Sequence, residues 1–202
     1  MHARGQVCNF HTESSIPIER WSLALNSRLP RDIVVLHAEE APPEFHARKS
    51  AKRKTYRYTI RRSKFPDVFQ RAYQYHHPGK LDVPAMQEAL SAIVGEHDFT
   101  SFCSIHSESE SHVRTVYEAS IDEIPDPGEL PDSPAPSGVI TIAITGNGFL
   151  YNMVRIIVGT LMEIGEGKRP RTAMADILRA RDRALAGPTA VAHGLTLWKV
   201  EY

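Results

Sequence analysis

The stretch "NMVRIIVGTLMEIG", residues 152–165, carries the strongest structural signal in this sequence. Its apolar residues occupy nearly every face at helical spacing, a pattern typical of a helix buried in a protein core. Arg155 lies within this run, and a buried charge without a partner is strongly destabilising. Two roles are open: the side chain reaches the helix edge and pairs with a surface acid, or it holds a buried carboxylate ionised in a functional site.

The composition is that of a globular protein, with 202 residues, 42% hydrophobic residues, 24% charged residues and a net charge of zero. The two cysteines, Cys8 and Cys103, lie far apart and form no C-x-x-C pattern. This argues against a disulfide framework or a zinc site and is typical of a protein from the reducing cytoplasm. No apolar run approaches the length of a membrane span, and the first residues contain no signal-peptide core.

Positive charge is concentrated between Arg48 and Arg71, where ten lysines and arginines accompany a single acid, Asp67. Tyr56 and Tyr58 are interleaved with these cations. Phosphates attract the cations and bases stack on aromatic rings, so the segment favours RNA binding. The alternative is a solvated edge strand whose charges deter aggregation. The predicted RNA-binding residues are Arg48, Lys49, Lys52, Arg53, Lys54 and Arg57.

Periodicity predicts helices and strands that alternate along the chain, with antiparallel strand pairs, which indicates an α+β fold. Helices are predicted over 16–29, 82–95 (with Asp82 as N-cap and Gly95 as the stop), 152–165 and 172–185. Strands are predicted over 5–12, 32–40, the second half of 45–62, 112–124, 138–145 and 194–202. The Pro-rich stretch 125–138 is predicted to be a surface loop.

The remaining motifs predict little chemistry. His76 and His77, and His106 with His112, lack metal-ligand spacing, so surface histidines are the simpler interpretation. The glycines of "GNG" at 146–148 fit a tight strand-to-helix turn as well as a phosphate contact. No nucleotide-binding or nucleophile-elbow motif is present. These patterns therefore indicate neither a metal site nor a nucleotide-binding site.

Several segments together resemble the tRNA pseudouridine synthase A family. They occur in the family's order and extend over the whole chain. They are "HARGQV", "ALNSRLPRDIVV", "FHARKSAKRKTYRY", "VGEHDFTSF", "VRTVYEA", "GFLYNMVRIIVGTLMEIGEG", "LRARDRALAGPTA" and "AHGLTLWKVEY".

This resemblance implies an isomerase that converts uridine to pseudouridine in the anticodon stem-loop of tRNA. Such an enzyme breaks the N-glycosidic bond, turns the uracil and rejoins it through carbon. It uses no cofactor or metal, works as a homodimer in the cytoplasm and depends on one aspartate carboxylate. The implied fold is the pseudouridine synthase fold, a mixed and largely antiparallel sheet flanked by helices.

The resemblance also assigns roles to individual residues. Tyr56, in "K-x-Y-x-Y", would stack on the flipped uracil, and its hydroxyl would assist proton removal from carbon 5. Arg155 would pair with the catalytic aspartate. Leu195, in "HGLTL", would line the uracil pocket. We expect Tyr56, Arg155 and Leu195 to converge on one cleft, with Met1 close by.

One departure from the family concerns the catalytic aspartate of "G-R-T-D-x-G-[VM]-H-A", which would stand three residues before Met1. No acid replaces it by motif, since Asp98 belongs to "EHDFTSF". A smaller departure is Val191, where proline is usual. Met1 is then either internal to a longer protein whose first elements are missing here, or the start of an RNA-binding module without chemistry. The retention of Tyr56 and the other matched residues favours the first explanation.

The prediction is therefore a pseudouridine synthase catalytic region over residues 1–202, lacking the first elements of the fold. We expect this chain by itself to be inactive. The alternative function is a non-catalytic tRNA-binding module.

Overall fold

The structure, a computed structural model, describes residues 2–127 and 137–202. The contacts within the chain divide it into two units. One consists of the residues up to Gln6 together with Ala51–Tyr202, and the other is Val7–Ser50. The two are called the first and the second unit below.

The first unit contains a sheet and three α-helices among its described residues. Its strands are β1 (His2–Ala3), β2 (Arg53–Arg62), β3 (Tyr75–His77), β4 (Gly95–Asp98), β5 (Val113–Pro125), β6 (Gly138–Gly146) and β7 (Leu195–Glu201). Its helices are α2 (Val83–Ser91), α3 (Met153–Gly165) and α4 (Ala173–Ala180). In the second unit, a 3-10 turn at Ile18–Arg20 leads into α1 (Trp21–Asn26).

The described strands form one mixed sheet in the order β1-β7-β2-β6-β5-β4. Strand β3 pairs with the last three residues of β2, beyond the part of β2 that pairs with β7. The pairs β1–β7 and β2–β3 are parallel, and the other pairs are antiparallel. The long ladder between β2 and β6 runs from Lys54 opposite Gly146 to Arg62 opposite Gly138. The α+β prediction is confirmed, and so is the largely antiparallel mixed sheet.

The hydrophobic core lies on one face of this sheet. Alternate residues of β2 and β6 point into it, because side chains along a strand alternate between the two faces. These are Tyr58, Ile60, Ile140, Ile142 and Ile144, all fully buried. Helix α3 supplies the largest helical share of the core, with Met153, Ile156, Ile157, Val158 and Leu161 fully buried. The buried helix predicted over 152–165 is confirmed.

Local signals in the sequence set the ends of α2. Asp82 accepts a hydrogen bond from the backbone N–H of Ala85 at 2.9 Å and so caps the first turn, as predicted. Gly95, with a φ of +111°, adopts a conformation that favours glycine, but the helix has already ended at Ser91. The stretch from Gly95 begins β4, a strand that the sequence pattern did not predict.

The strands predicted over 5–12 and 32–40 are wrong. The only strand before β2 in the described residues is β1, and α1 is the shortened form of the helix predicted over 16–29. At 32–40 the backbone bonds to a side chain instead of a neighbouring strand. Val35 donates its N–H to the Asn26 side chain at 2.7 Å and accepts from it at 2.9 Å.

The Pro-rich loop predicted over 125–138 lies mostly outside the described residues. Strand β5 ends at Pro125 and β6 begins at Gly138. Arg61, on β2, binds Asp126 in the bidentate geometry of an arginine–carboxylate pair, with N–O distances of 2.6 and 2.7 Å. This ion pair ties the end of β5 to the centre of the sheet.

Candidate active site

Tyr56 lies on β2, on the sheet face that carries the core. Its ring is partly buried and meets the Phe149 ring edge-on, with 5.0 Å between the ring centres. Burial raises the pKa of the Tyr56 hydroxyl above its ordinary value. At neutral pH the side chain is therefore a neutral phenol, an aromatic face with a hydrogen-bond donor at its tip.

Tyr58, two residues further along β2, is fully buried and supports the segment that precedes β7. Its hydroxyl donates a hydrogen bond to the Val191 carbonyl oxygen at 2.9 Å. Its ring lies against Gly194, where a Cβ atom would come within 2.7 Å of the Tyr58 Cζ. Burial is the main reason that the pKa of Tyr58 is strongly raised, and the positive charge of Arg155 acts in the opposite direction.

The stretch "GPTA", residues 187–190, crosses directly over α3. The N–H of Gly187 donates to the Thr160 hydroxyl at 2.9 Å, and a Cβ at Gly187 would approach the Thr160 Cα to 2.8 Å. A Cβ at Gly159 would overlap the Pro188 carbonyl oxygen. Both glycines are therefore required by the close approach of two backbones.

Arg155 is half-buried where α3 meets this stretch. Its Nε donates to the Ala190 carbonyl oxygen at 2.6 Å, and its Nη1 donates to the Asn152 side-chain oxygen at 3.1 Å. Its own carbonyl oxygen accepts from the Ala190 N–H at 3.0 Å. Among residues 2–127 and 137–202, no carboxylate forms an ion pair with Arg155, and its Nη2 donates no hydrogen bond.

Asn152 is held in the left-handed conformation, with a φ of +62°, where β6 and its turn lead into α3. Asparagine tolerates this conformation better than most residues. Its side chain does not cap the helix but accepts the hydrogen bond from Arg155. The chain thus turns from strand to helix after the "GNG" of residues 146–148, as one of the two interpretations of these glycines predicted, and the turn also orients the guanidinium.

Leu195 begins β7 and is almost fully buried. It stands opposite Tyr58 in the β2–β7 ladder, while Tyr56 stands opposite Leu197. The segment from Ala190 to Leu195 therefore connects the hydrogen-bond acceptor of Arg155 to the strand neighbour of Tyr58, and the neighbour of Tyr56 follows two residues later. Among the described residues, no hydrogen bond joins Arg155 to Tyr56, and Met1, which was expected nearby, lies outside that part of the chain.

Asp98 lies elsewhere. Its carboxylate accepts from the Thr100 hydroxyl at 2.6 Å and the Thr100 N–H at 3.0 Å, and it pairs with Arg181 at 3.3 Å. These partners, the Thr100 side chain foremost, lower the pKa of Asp98. Asp98 is committed to its own loop and does not serve Arg155.

The predicted RNA-binding residues fall in both units. Arg48 and Lys49 are exposed residues of the second unit, whereas Lys52, Arg53, Lys54 and Arg57 belong to the first. In the first unit, two of these cations lie over aromatic rings: Arg53 over Tyr117 and Arg57 over Trp198, at 4.7 and 3.8 Å from the ring centres.

Sequence reasoning missed the roles of Asn152, Tyr58 and Trp198, because these contacts join residues distant in the chain or depend on backbone geometry.

In the part of the chain that the structure describes, no three metal-ligating side chains come together. His76 bonds to the Ser63 carbonyl oxygen at 2.8 Å, and the His112 ring lies 2.9 Å from the Thr100 hydroxyl. No helix there is long and apolar enough to span a membrane.

Comparisons with known proteins point to one family. The family model for tRNA pseudouridine synthase matches residues 89–202. The tRNA pseudouridine synthase A of Anoxybacillus flavithermus is 49% identical over all 202 residues, which cover 77% of that relative. The Bacillus subtilis protein of the same name is 48% identical with the same coverage. The Halalkalibacterium halodurans protein, also of that name, is 50% identical over 195 residues, 96% of this chain and 70% of the relative.

Proposed function

Because the chain belongs to the tRNA pseudouridine synthase family, we propose that it isomerises uridine to pseudouridine in the anticodon stem-loop of tRNA. The observation that carries this proposal is the fixed position of Arg155. Two hydrogen bonds, to Ala190 and Asn152, hold its guanidinium in place. The donors of its Nη2 remain available for a carboxylate.

Arg155 would keep the catalytic aspartate ionised and oriented. An arginine beside a carboxylate lowers the pKa of that carboxylate and fixes its orientation through directed N–H groups. The aspartate would come from the G-R-T-D-x-G segment of the family. Ionised at neutral pH, it would engage the ribose next to the base while the glycosidic bond breaks.

Tyr56 would receive the uracil once the base has left the RNA stack. Extrusion of a base into a pocket exposes both of its faces, and aromatic rings stack well on them. Because burial raises the pKa of Tyr56, its hydroxyl remains protonated. It would therefore donate a hydrogen bond to the base or to a water, and from this position it would assist the removal of the proton from carbon 5.

Leu195 would form the apolar wall of the uracil pocket, which its burial at the start of β7 supports. Lys52, Arg53, Lys54 and Arg57 would contact the RNA backbone, together with Arg48 and Lys49 of the second unit. The whole sequence would form one catalytic region, with 125–138 as a surface loop. Action as a homodimer in the cytoplasm rests on the family resemblance.

Tritium release from tRNA labelled at carbon 5 of uracil tests this function. The protein should carry the G-R-T-D-x-G segment ahead of Met1, and the 202-residue chain, which we expect to be inactive, serves as the comparison. We expect release by the extended protein, and a loss of roughly 100-fold or more in kcat for Arg155→Lys, because a point-charge ammonium cannot reproduce the guanidinium geometry.

Arg179→Lys is the matched control, because Arg179 is an exposed arginine that pairs with Asp176 on α4. It should leave the rate unchanged. If the extended protein releases no tritium from any tRNA, the proposed function is wrong. If Arg155→Lys keeps the full rate, the role assigned to Arg155 is wrong.

A further inference from the structure

Two arginines lie against one tryptophan in the first unit. The guanidinium carbon of Arg57 lies 3.8 Å from the Trp198 ring centre, and that of Arg4 lies 4.9 Å from it. Arg57 comes from the middle of β2, Arg4 follows β1, and Trp198 is on β7. This group of three residues is called the Trp198 cluster below.

An irregularity in the sheet produces the cluster. The register between β2 and β7 shifts between Thr55 and Tyr56, which stand opposite Lys199 and Leu197, so Trp198 is an extra residue in β7. Such a bulge redirects the side chain it carries. Arg57 alternates with the core-facing Tyr56 and Tyr58, so the cluster lies on the other face of the sheet from the candidate active site.

Backbone contacts hold Arg4 at this bulge. Its N–H donates to the Leu197 carbonyl oxygen at 2.8 Å. The next residue is Gly5, where a Cβ would come within 2.8 Å of the Trp198 carbonyl oxygen. Glycine at this position lets the chain cross β7 closely and keeps Arg4 beside the indole.

Among the described residues, neither positive charge has an acidic partner. Within the described residues neither Arg4 nor Arg57 forms an ion pair, and the Nε of Arg57 is buried without a hydrogen bond. The nearby acid of β7, Glu201, is engaged by Lys199 at 2.7 Å. Both guanidinium carbons lie within 5 Å of one ring centre, so the two charges are separated by less than roughly 10 Å, the Debye length at 0.1 M salt. The electric fields of the two charges therefore add at the cluster.

We propose that the Trp198 cluster binds the ribose-phosphate backbone of RNA, at a site separate from Tyr56, Arg155 and Leu195. The tryptophan holds the two guanidinium planes, and their N–H edges donate to phosphate oxygens. A phosphate is favoured over a stacked base because the arginines already cover the ring. The inference rests on the proposed function only in naming RNA as the anion, and it adds Arg4 and Trp198 to the RNA-binding residues predicted from sequence.

The test is the salt dependence of RNA binding by the 202-residue chain. Anticodon stem-loop RNA is titrated at several salt concentrations with the wild type, Arg4→Gln, Arg57→Gln and the double variant. Each lost phosphate contact should reduce the slope of log K against log salt by about 0.7 to 0.9. Arg4→Gln is the decisive single variant, because Arg4 is exposed and its replacement leaves the core intact. Arg179→Gln is the matched control and should keep the wild-type slope.

An unchanged slope in the double variant overturns the inference, whatever the extended protein does to labelled tRNA. A reduced slope supports it even if no tritium is released, so the two proposals fail separately. If the double variant changes the sedimentation of the free protein and leaves the slope unchanged, the cluster binds another protein surface and the RNA assignment is wrong.

Discussion

Helix α3 and the second unit are both rich in apolar residues, yet they differ completely in burial. In α3, ten residues are buried, and the helix packs against α2, α4 and β2. In Val7–Ser50 no residue is buried, although the unit contains "IVVL" and "WSLAL". Apolar sequence therefore gives a packed element only where a complementary surface covers it.

The second unit shows what happens when such a surface is lacking within the unit itself. Ile33, Val34 and Leu36 are exposed, and no strand forms around them. The Asn26 side chain takes both backbone hydrogen bonds of Val35, which a neighbouring strand would otherwise take. A strand pattern in the sequence reports only that polar and apolar side chains can alternate between two faces. A strand also needs a neighbouring chain segment that satisfies its backbone hydrogen bonds.

Amide hydrogen exchange should show the largest difference between these two regions. Amides of α3 open only with global unfolding, which costs about 5–15 kcal/mol in an ordinary domain. Those of residues 32–40 have almost no backbone partners and should exchange nearly as fast as in a peptide, a difference of roughly three orders of magnitude or more. Mass-spectrometric exchange on the 202-residue chain measures this directly. Comparable protection in the two regions would show that residues 32–40 are as well structured as α3.

Truncation of one side chain in each region should give the next largest effect. Ile156→Ala removes three carbon atoms from a fully buried site and should lower the free energy of unfolding by about 2–5 kcal/mol. Leu36→Ala, at a residue that is 83% exposed, should change it by less than about 0.5 kcal/mol. Urea denaturation of both variants checks the pair, and a loss at Leu36 equal to that at Ile156 would contradict it.

The same contrast explains what sequence could predict. Helices α2, α3 and α4 and strands β2, β5, β6 and β7 follow from local periodicity, because each has a surface to pack against in the first unit. Strands β3 and β4 are short and lack a periodic signal of their own, and their pairing partners define them.

At the candidate site, the motif identified Arg155 but not its observed partners. The Ala190 carbonyl oxygen and the Asn152 side chain bind it through a backbone crossing and a left-handed turn. The sequence predicts a strand-to-helix turn before α3, but not the left-handed conformation of Asn152 within it. The crossing is visible in the sequence only as the two glycines that permit it, Gly159 and Gly187.

Tyr58→Phe tests whether the first unit's packing positions the site as well as stabilising the fold. The ring remains, but the Val191 carbonyl oxygen loses its hydrogen bond, at a cost of about 1 kcal/mol in unfolding free energy. Because the same segment holds Arg155 and leads to Leu195, kcat for tritium release by the extended protein should fall more than the stability loss alone explains. Tyr75→Phe is the control, since the hydroxyl of this β3 residue bonds to none of the described residues. Equal rates in the two variants would show that Tyr58 acts only in the core.

The smallest expected effect separates a structured carboxylate from an exposed one. The pKa of Asp98 lies below its ordinary value of 3.8, chiefly because of the Thr100 hydroxyl. A lowered folded-state pKa stabilises the protein above that ordinary value, and the contribution disappears as the pH falls through the folded-state pKa. Asp98→Asn should therefore cost on the order of 1 kcal/mol or less at pH 7, since the side chain is a quarter exposed, and the difference from wild type should shrink below about pH 4. Glu39→Gln is the counterpart in the second unit, where the pair with His37 is about four-fifths exposed. Glu39→Gln should not measurably change the free energy of unfolding at either pH. A pH-dependent loss of stability as large as that of Asp98→Asn would show that the exposed Glu39 carboxylate stabilises the second unit as much as the structured Asp98 carboxylate stabilises the first.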